Sequence, residues 1–125
     1  KREAVFGRSR FDLSYVRDGR NGYAEVKGVT LLDGETALFP DAPTARGTKH
    51  VLELIDAAEQ GHEALILFLI QTKGCRRFAP NAATDPAFAK ALAEASRRGV
   101  KVLAYDAVVT ESSIAVGNPV PAAIP

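Results

Sequence analysis

The sequence predicts an α/β domain, a mixed β-sheet flanked by helices, and three observations carry that prediction. A hairpin signature fills residues 11–29, an amphipathic helical pattern follows at 44–60, and strand and helix patterns then alternate to residue 109. Antiparallel strands followed by helix, strand, helix and strand give a sheet of mixed direction, with one helix expected on each side. The length of 125 residues suits one domain spanning the whole chain, 1–125.

Taken in order, residues 11–17 alternate apolar Phe11, Leu13 and Tyr15 with polar Asp12 and Ser14, the period of a half-buried strand. Residues 23–29 read as the partner strand. The stretch between them holds Asp18-Gly19 and Asn21-Gly22, dipeptides that both tolerate the positive φ of a type I′ turn. A third short extended piece covers 36–39 and stops at Pro40, which cannot donate to a ladder. In the helix at 44–60, Val51, Leu54, Ile55 and Ala58 share one stripe, and Gly61 stands where the chain leaves a helix. Residues 64–70 form a continuous apolar run, read as a strand buried on both faces. Asp85 as N-cap and Pro86 as first helical residue open a second helix, with Phe88, Leu92 and Ala95 inward and Gly99 ending it. Residues 100–109 form another strand, and the tail at 117–125, with three prolines, is expected to extend or drape.

Composition removes several function classes. Hydrophobic residues make up 46% and charged residues 25%, so neither a disordered tail nor a fibrous repeat fits. The formal charge of +1 means that any nucleic-acid binding must come from local clustering. One cysteine forbids an intrachain disulfide, and two histidines make no zinc-finger set, so a reducing cytoplasm is the expected location. The longest apolar run, seven residues at 64–70, is far below the roughly 20 that cross a bilayer, so no membrane role is expected. Residues 1–7 lack the apolar region of a secretory signal and begin without Met, which reads as a piece of something longer.

The chemistry concentrates in Asp12 and in Glu25-Val26-Lys27. Residues two apart on a strand share a face, so Glu25 and Lys27 point together. If Asp18-Gly19 is the two-residue loop, Arg17 opposes Arg20 and Asp12 stands directly across from Glu25. An Asn21-Gly22 loop instead slides Asp12 along to Leu31, and a bulge would change the pairing again. In the first register Phe11, Leu13, Tyr15, Ala24 and Val26 gather on the opposite face, which is then expected to be the core face. Opposed carboxylates with Cβ atoms about 5 Å apart repel unless a cation or proton lies between them. Lys27 can supply one charge, and hard oxygen ligands with open positions are what Mg2+ or Mn2+ selects. Such a pair beside a lysine suits phosphodiester hydrolysis. Taken alone, the triplet is equally an exposed salt-bridge cluster on a solvated strand.

Other charged residues have two readings each. Arg46, Lys49 and His50 stand near the start of the first helix, where a helix N-terminus favours anions. Lys73, Arg76 and Arg77 beside Phe78 form a basic cluster suited to a nucleic-acid backbone, or simply a solvated loop. His62 after Gly61 reads as a surface residue, Asp41 as a loop former, and Cys75 as an inert thiol.

Several strings resemble a known family. KRE at 1–3, SRFD at 9–12, YAEVKGVTL at 23–31, LFPDAPTARGTKH at 38–50, RFAP at 77–80 and GVKVLAY at 99–105 look like the C-terminal half of the sugar fermentation stimulation (SfsA) family. The resemblance implies a restriction-endonuclease-like, PD-(D/E)XK core in DNA-binding proteins linked to regulation of sugar (maltose) metabolism. It implies that Asp12 matches the metal-site aspartate, Glu25 and Lys27 the (D/E)XK pair, and Glu3 the acidic residue that precedes them. Asp12 and Glu25 would then hold Mg2+ or Mn2+. Arg10, Arg46, Lys49, His50, Arg76 and Arg77 would be the nucleic-acid contacts, with DNA the expected partner. The family normally also bears an N-terminal OB-like domain, expected in the full-length protein, and Gly28 departs from the Ser often found there. A catalytically silent DNA-binding regulator that keeps the nuclease fold is the alternative, and a homo-oligomeric scaffold is a third reading.

Overall fold

Asp18 and Gly19 both have positive φ, 52° and 76°, and they form the two-residue loop of the hairpin. A computed structural model describes the backbone of residues 2–6 and 9–125 and the side chains from Phe11 onward. β1 (Arg2–Phe6) pairs antiparallel with β2 (Ser9–Arg17), which pairs antiparallel with β3 (Arg20–Val29). The β2–β3 ladder runs from Arg17↔Arg20 to Leu13↔Ala24, the register of the Asp18-Gly19 loop. Gly22 lies inside β3, where a Cβ would overlap the ring of Tyr15, so Asn21-Gly22 is strand and not turn.

Thr44 caps α1 (Ala45–Glu59) through a 2.9 Å bond from the Gly47 N–H, and Gly61 leaves the helix at φ 91°. α1 leads into β6 (Glu63–Ile70), and α2 (Pro86–Arg97), capped by Asp85, leads into β8 (Lys101–Val109). β3, β6 and β8 are parallel neighbours, and β9 (Ile114–Pro119) closes the far edge, giving the sheet order β1-β2-β3-β6-β8-β9. β4 (Leu31–Asp33), β5 (Thr36–Phe39) and β7 (Arg77–Pro80) make a second, three-stranded sheet. The proline-rich tail drapes onto it, with Phe78 N–H bonded to Pro121 and Ala123 N–H bonded to Phe78.

Two expectations are corrected. The helices do not lie on opposite sides: α1 and α2 pack against each other. The reason is topological. Strands β3, β6 and β8 advance in one direction across the sheet, and right-handed crossovers then put both helices on one face. As a result β6 is not equally buried on both faces. Ala64, Ile66, Phe68 and Ile70 are buried, whereas Leu65, Leu67 and Leu69 are only half-buried.

The second correction concerns which face of the hairpin meets the core. Tyr23, Glu25, Lys27 and Val29 stand beside Ala64, Ile66, Phe68 and Ile70 in the parallel ladder, so the acidic face is the helix-covered one. Leu13, on the expected core face, is 39% exposed. Phe11 is buried and its ring meets Tyr23 at 5.5 Å, which breaks the simple alternation of β2 at Asp12. The core is completed by an aromatic cluster in which Phe68 stacks on Phe78 at 4.3 Å and Phe39 meets Phe88 at 5.2 Å. Among the described residues no helix is long and apolar enough to cross a membrane.

Candidate metal and phosphate site

Where the β2–β3 ladder ends at Leu13↔Ala24, Asp12 replaces the backbone as partner: its Oδ2 accepts the Val26 N–H at 2.9 Å. This substitution bends the Asp12 carboxylate toward Glu25, the residue before Val26. Glu25 is 2% exposed, and its Oε2 is a buried oxygen that no hydrogen-bond donor reaches. Burial, reinforced by the hydrogen bond to Asp12 and its charge, pushes the Glu25 carboxyl up to about 8. Burial also acts to raise Asp12, but the bonds from Glu25 and the Val26 amide, with the positive charge of Lys27, outweigh it and hold Asp12 below 3.8. One carboxylate is thus ionised and its neighbour keeps a proton, as expected of two acids that cannot both ionise unaided.

Lys27 and His50 complete the cluster. The Lys27 Nζ lies 3.1 Å from His50 Nδ1, and the same Nδ1 lies 3.3 Å from Glu25 Oε2. Burial, then the charges of Lys27 and Arg46, hold His50 below its usual 6.5. Its position follows from α1, whose buried stripe of Gly47, Val51, Leu54 and Ile55 seats the helix over the sheet. Arg46 precedes His50 by one helical turn, and its charge reaches both Glu25 and His50.

The expected site residues divide clearly. Asp12, Glu25, Lys27 and His50 come together, and exposed Arg46 stands beside them. Lys49 is exposed on α1. Arg76 pairs with Glu35 at 2.6 Å and Arg77 bonds Thr36 at 3.1 Å, so both are engaged on the small sheet. The side chains of Glu3 and Arg10 lie outside the described residues. The backbone register, Arg2↔Leu13 and Ala4↔Phe11, sets Glu3 level with Asp12.

Sequence spacing left two features out. One is the seat of His50 between Lys27 and Glu25, where the pattern suggested only a helix start facing an anion. The other is Asp85, which caps α2 through Phe88 N–H at 3.0 Å and also accepts Thr44 N–H at 2.8 Å, tying the two helix starts together. No local signal marks that second bond. At Gly28 an added Cβ would lie 2.9 Å from Gln71 Nε2, so a serine there requires Gln71 to shift.

Chemically, the pair offers hard oxygens for a divalent cation. The orphaned Glu25 Oε2, and the burial and neighbouring Asp12 charge that raise the Glu25 carboxyl, are what such an ion would relieve, so the residues present fit Mg2+ or Mn2+. Among the described residues no group of three or more His, Cys, Asp or Glu is placed to hold a metal ion.

Comparison with known proteins agrees with this architecture. Residues 1–113 match the profile of the sugar fermentation stimulation protein RE domain. The chain is 53% identical over 121 residues to a sugar fermentation stimulation protein homolog of Clostridium botulinum (strain Langeland), covering 96% of this chain and 53% of that protein. A homolog from Alkaliphilus oremlandii is 50% identical over 122 residues, covering 94% and 52% respectively. The chain spans about half the length of these curated relatives. The structure of Pyrococcus furiosus SfsA in complex with Ca2+ superposes with a TM-score of 0.90 at 33% identity, covering 99% of this chain and 54% of that one. The chain therefore belongs to the sugar fermentation stimulation (SfsA) family, and its fold is the restriction-endonuclease-like one.

Proposed function

We propose that this chain is a divalent-cation-dependent, nuclease-like phosphodiesterase domain that acts on DNA. The observation that carries the reading is the Asp12–Glu25 pair with an oxygen of Glu25 buried and unpartnered beside Lys27 and His50. The similar Pyrococcus protein was solved with Ca2+, a hard cation that takes oxygen ligands, and this supports the same choice of ligand chemistry here.

Asp12 and Glu25 would hold Mg2+ or Mn2+, with Glu3 assisting from the neighbouring strand. The ion, when bound, supplies charge neutralisation and polarisation at a phosphodiester. Lys27 carries its ammonium on the same face as Glu25, where it steadies the attacking or leaving oxygen as charge develops. Arg46, Lys49 and His50 meet the phosphates flanking the scissile one, and Arg10, Arg76 and Arg77 extend the contact along the backbone. The whole chain is read as one nuclease-like domain of a cytoplasmic protein that carries an OB-like domain N-terminal to it and takes part in regulating sugar (maltose) metabolism.

The test is incubation of the purified chain with labelled single- and double-stranded DNA and RNA, with Mg2+ or Mn2+ and with a chelator. The expected result is metal-dependent cleavage of DNA that disappears in Glu25→Gln and in Lys27→Ala. Salt-sensitive DNA binding that persists in Asp12→Ala, with no cleavage under any metal, would replace this reading by that of a catalytically silent DNA-binding regulator.

A further inference from the structure

One contact in the cluster decides the orientation of hydrogens in the rest. A lysine ammonium has three donors and no acceptor, so at 3.1 Å the His50 Nδ1 must accept from Lys27 Nζ. An Nδ1 that accepts carries no hydrogen of its own, and it can offer nothing to Glu25 Oε2, 3.3 Å away. This accounts for the absence of any donor at Glu25 Oε2. The hydrogen of the ring then sits on Nε2, which has no hydrogen-bond partner among the described residues, on a side chain that is 13% exposed.

The same contact decides where Lys27 goes. Glu25 and Lys27 share a face of β3 two residues apart, well within reach of a lysine side chain. Yet among the described residues Lys27 makes no ion pair with a carboxylate. The ammonium is instead drawn up to α1.

We propose that His50 is a positioning residue: its Nδ1 holds the Lys27 ammonium off Glu25 and so keeps Glu25 Oε2 open to a divalent cation. This rests on the reading of Asp12 and Glu25 as the cation site. Without the imidazole, Lys27 turns onto Glu25 and competes with the ion for the same oxygen.

Two measurements test it. In the metal-free wild-type chain at neutral pH, 15N NMR of the imidazole should show a bare Nδ1 and a hydrogen on Nε2; a hydrogen on Nδ1 overturns the proposal without any variant being made. In Mn2+ titrations followed by calorimetry, His50→Ala should weaken binding about 10-fold, the scale of losing a residue that orients a metal ligand. His50→Asn, which keeps an acceptor near the Nδ1 position, should stay close to wild type. In a Lys27→Ala background, His50→Ala should change the affinity little, because the competitor is gone. A loss of equal size in that background would mean that His50 acts on the ion directly or only on the fold, and the proposal fails. A wild-type chain that takes up no Mn2+ at all sinks the cation-site reading itself, and the proposal with it.

Discussion

The pH dependence of stability in the metal-free chain follows from Glu25 and can be worked through with its sign. In the unfolded chain the Glu25 carboxyl ionises near 4.5; in the folded chain burial and the adjoining Asp12 hold its proton until about 8. Between those values the folded state binds the extra proton, so stability falls as pH rises. His50 acts in the opposite sense below 6.5, because its folded value is depressed. Asp12, held below its ordinary 3.8 in the folded chain, is ionised in both states across this range and contributes no slope here. From 6.5 to about 8 Glu25 therefore acts without either, and 1.5 pH units at 1.36 kcal/mol each give an upper bound of about 2 kcal/mol. Water reaching the exposed Asp12 side of the pair brings the expected loss to about 1 kcal/mol. Urea unfolding with a chelator at pH 6.5, 7.5 and 8.5, in wild type and Glu25→Gln, measures it. Wild type should lose about 1 kcal/mol more than the variant across the range. Parallel curves would show that Glu25 is not held protonated by its surroundings, and the electrostatic description of the pair would be wrong.

The remaining expectations are briefer. Phe68→Ala should cost about 3–5 kcal/mol in chemical denaturation, since the ring is fully buried and packs on Phe39, Phe78 and Phe88. Asp85→Asn should lower the melting temperature at neutral pH. That difference should fade as pH drops below 3.8, because Asp85 is held low by the Thr44 and Phe88 amides and its contribution is lost as it protonates. If the domain binds DNA, Arg46→Ala should reduce the slope of log affinity against log salt by about 1 in fluorescence anisotropy, with similar losses on unrelated sequences.

Much of the fold and part of the cluster were legible in the residues. Asp18-Gly19 carried the hairpin register, because the two positions that need positive φ are the two that tolerate it, and that register brings Asp12 and Glu25 together. Gly61 marked the end of α1, and Asp85 and Pro86 the start of α2, by their capping chemistry, whereas the Thr44 cap emerged only from the structure. The face of the hairpin that meets the core was not legible, since apolar residues occur on both sides of it and Phe11 leaves the alternation at Asp12. The common side of the helices depends on the order of β3, β6 and β8, which no local pattern encodes. Short strands such as β4 and β7 hold too few residues for a period to show. The place of His50 depends on how α1 is seated by Val51, Leu54 and Ile55, a tertiary matter. The small sheet likewise decides the partners of Arg76 and Arg77, Glu35 and Thr36.

Crystals grown with Mn2+ and measured at a wavelength where manganese scatters anomalously test the central claim most directly. The expected result is an anomalous peak about 2.1–2.3 Å from oxygens of both Asp12 and Glu25, absent from crystals of Glu25→Gln grown alike. A peak elsewhere, or an empty carboxylate pair in crystals saturated with the ion, would contradict it.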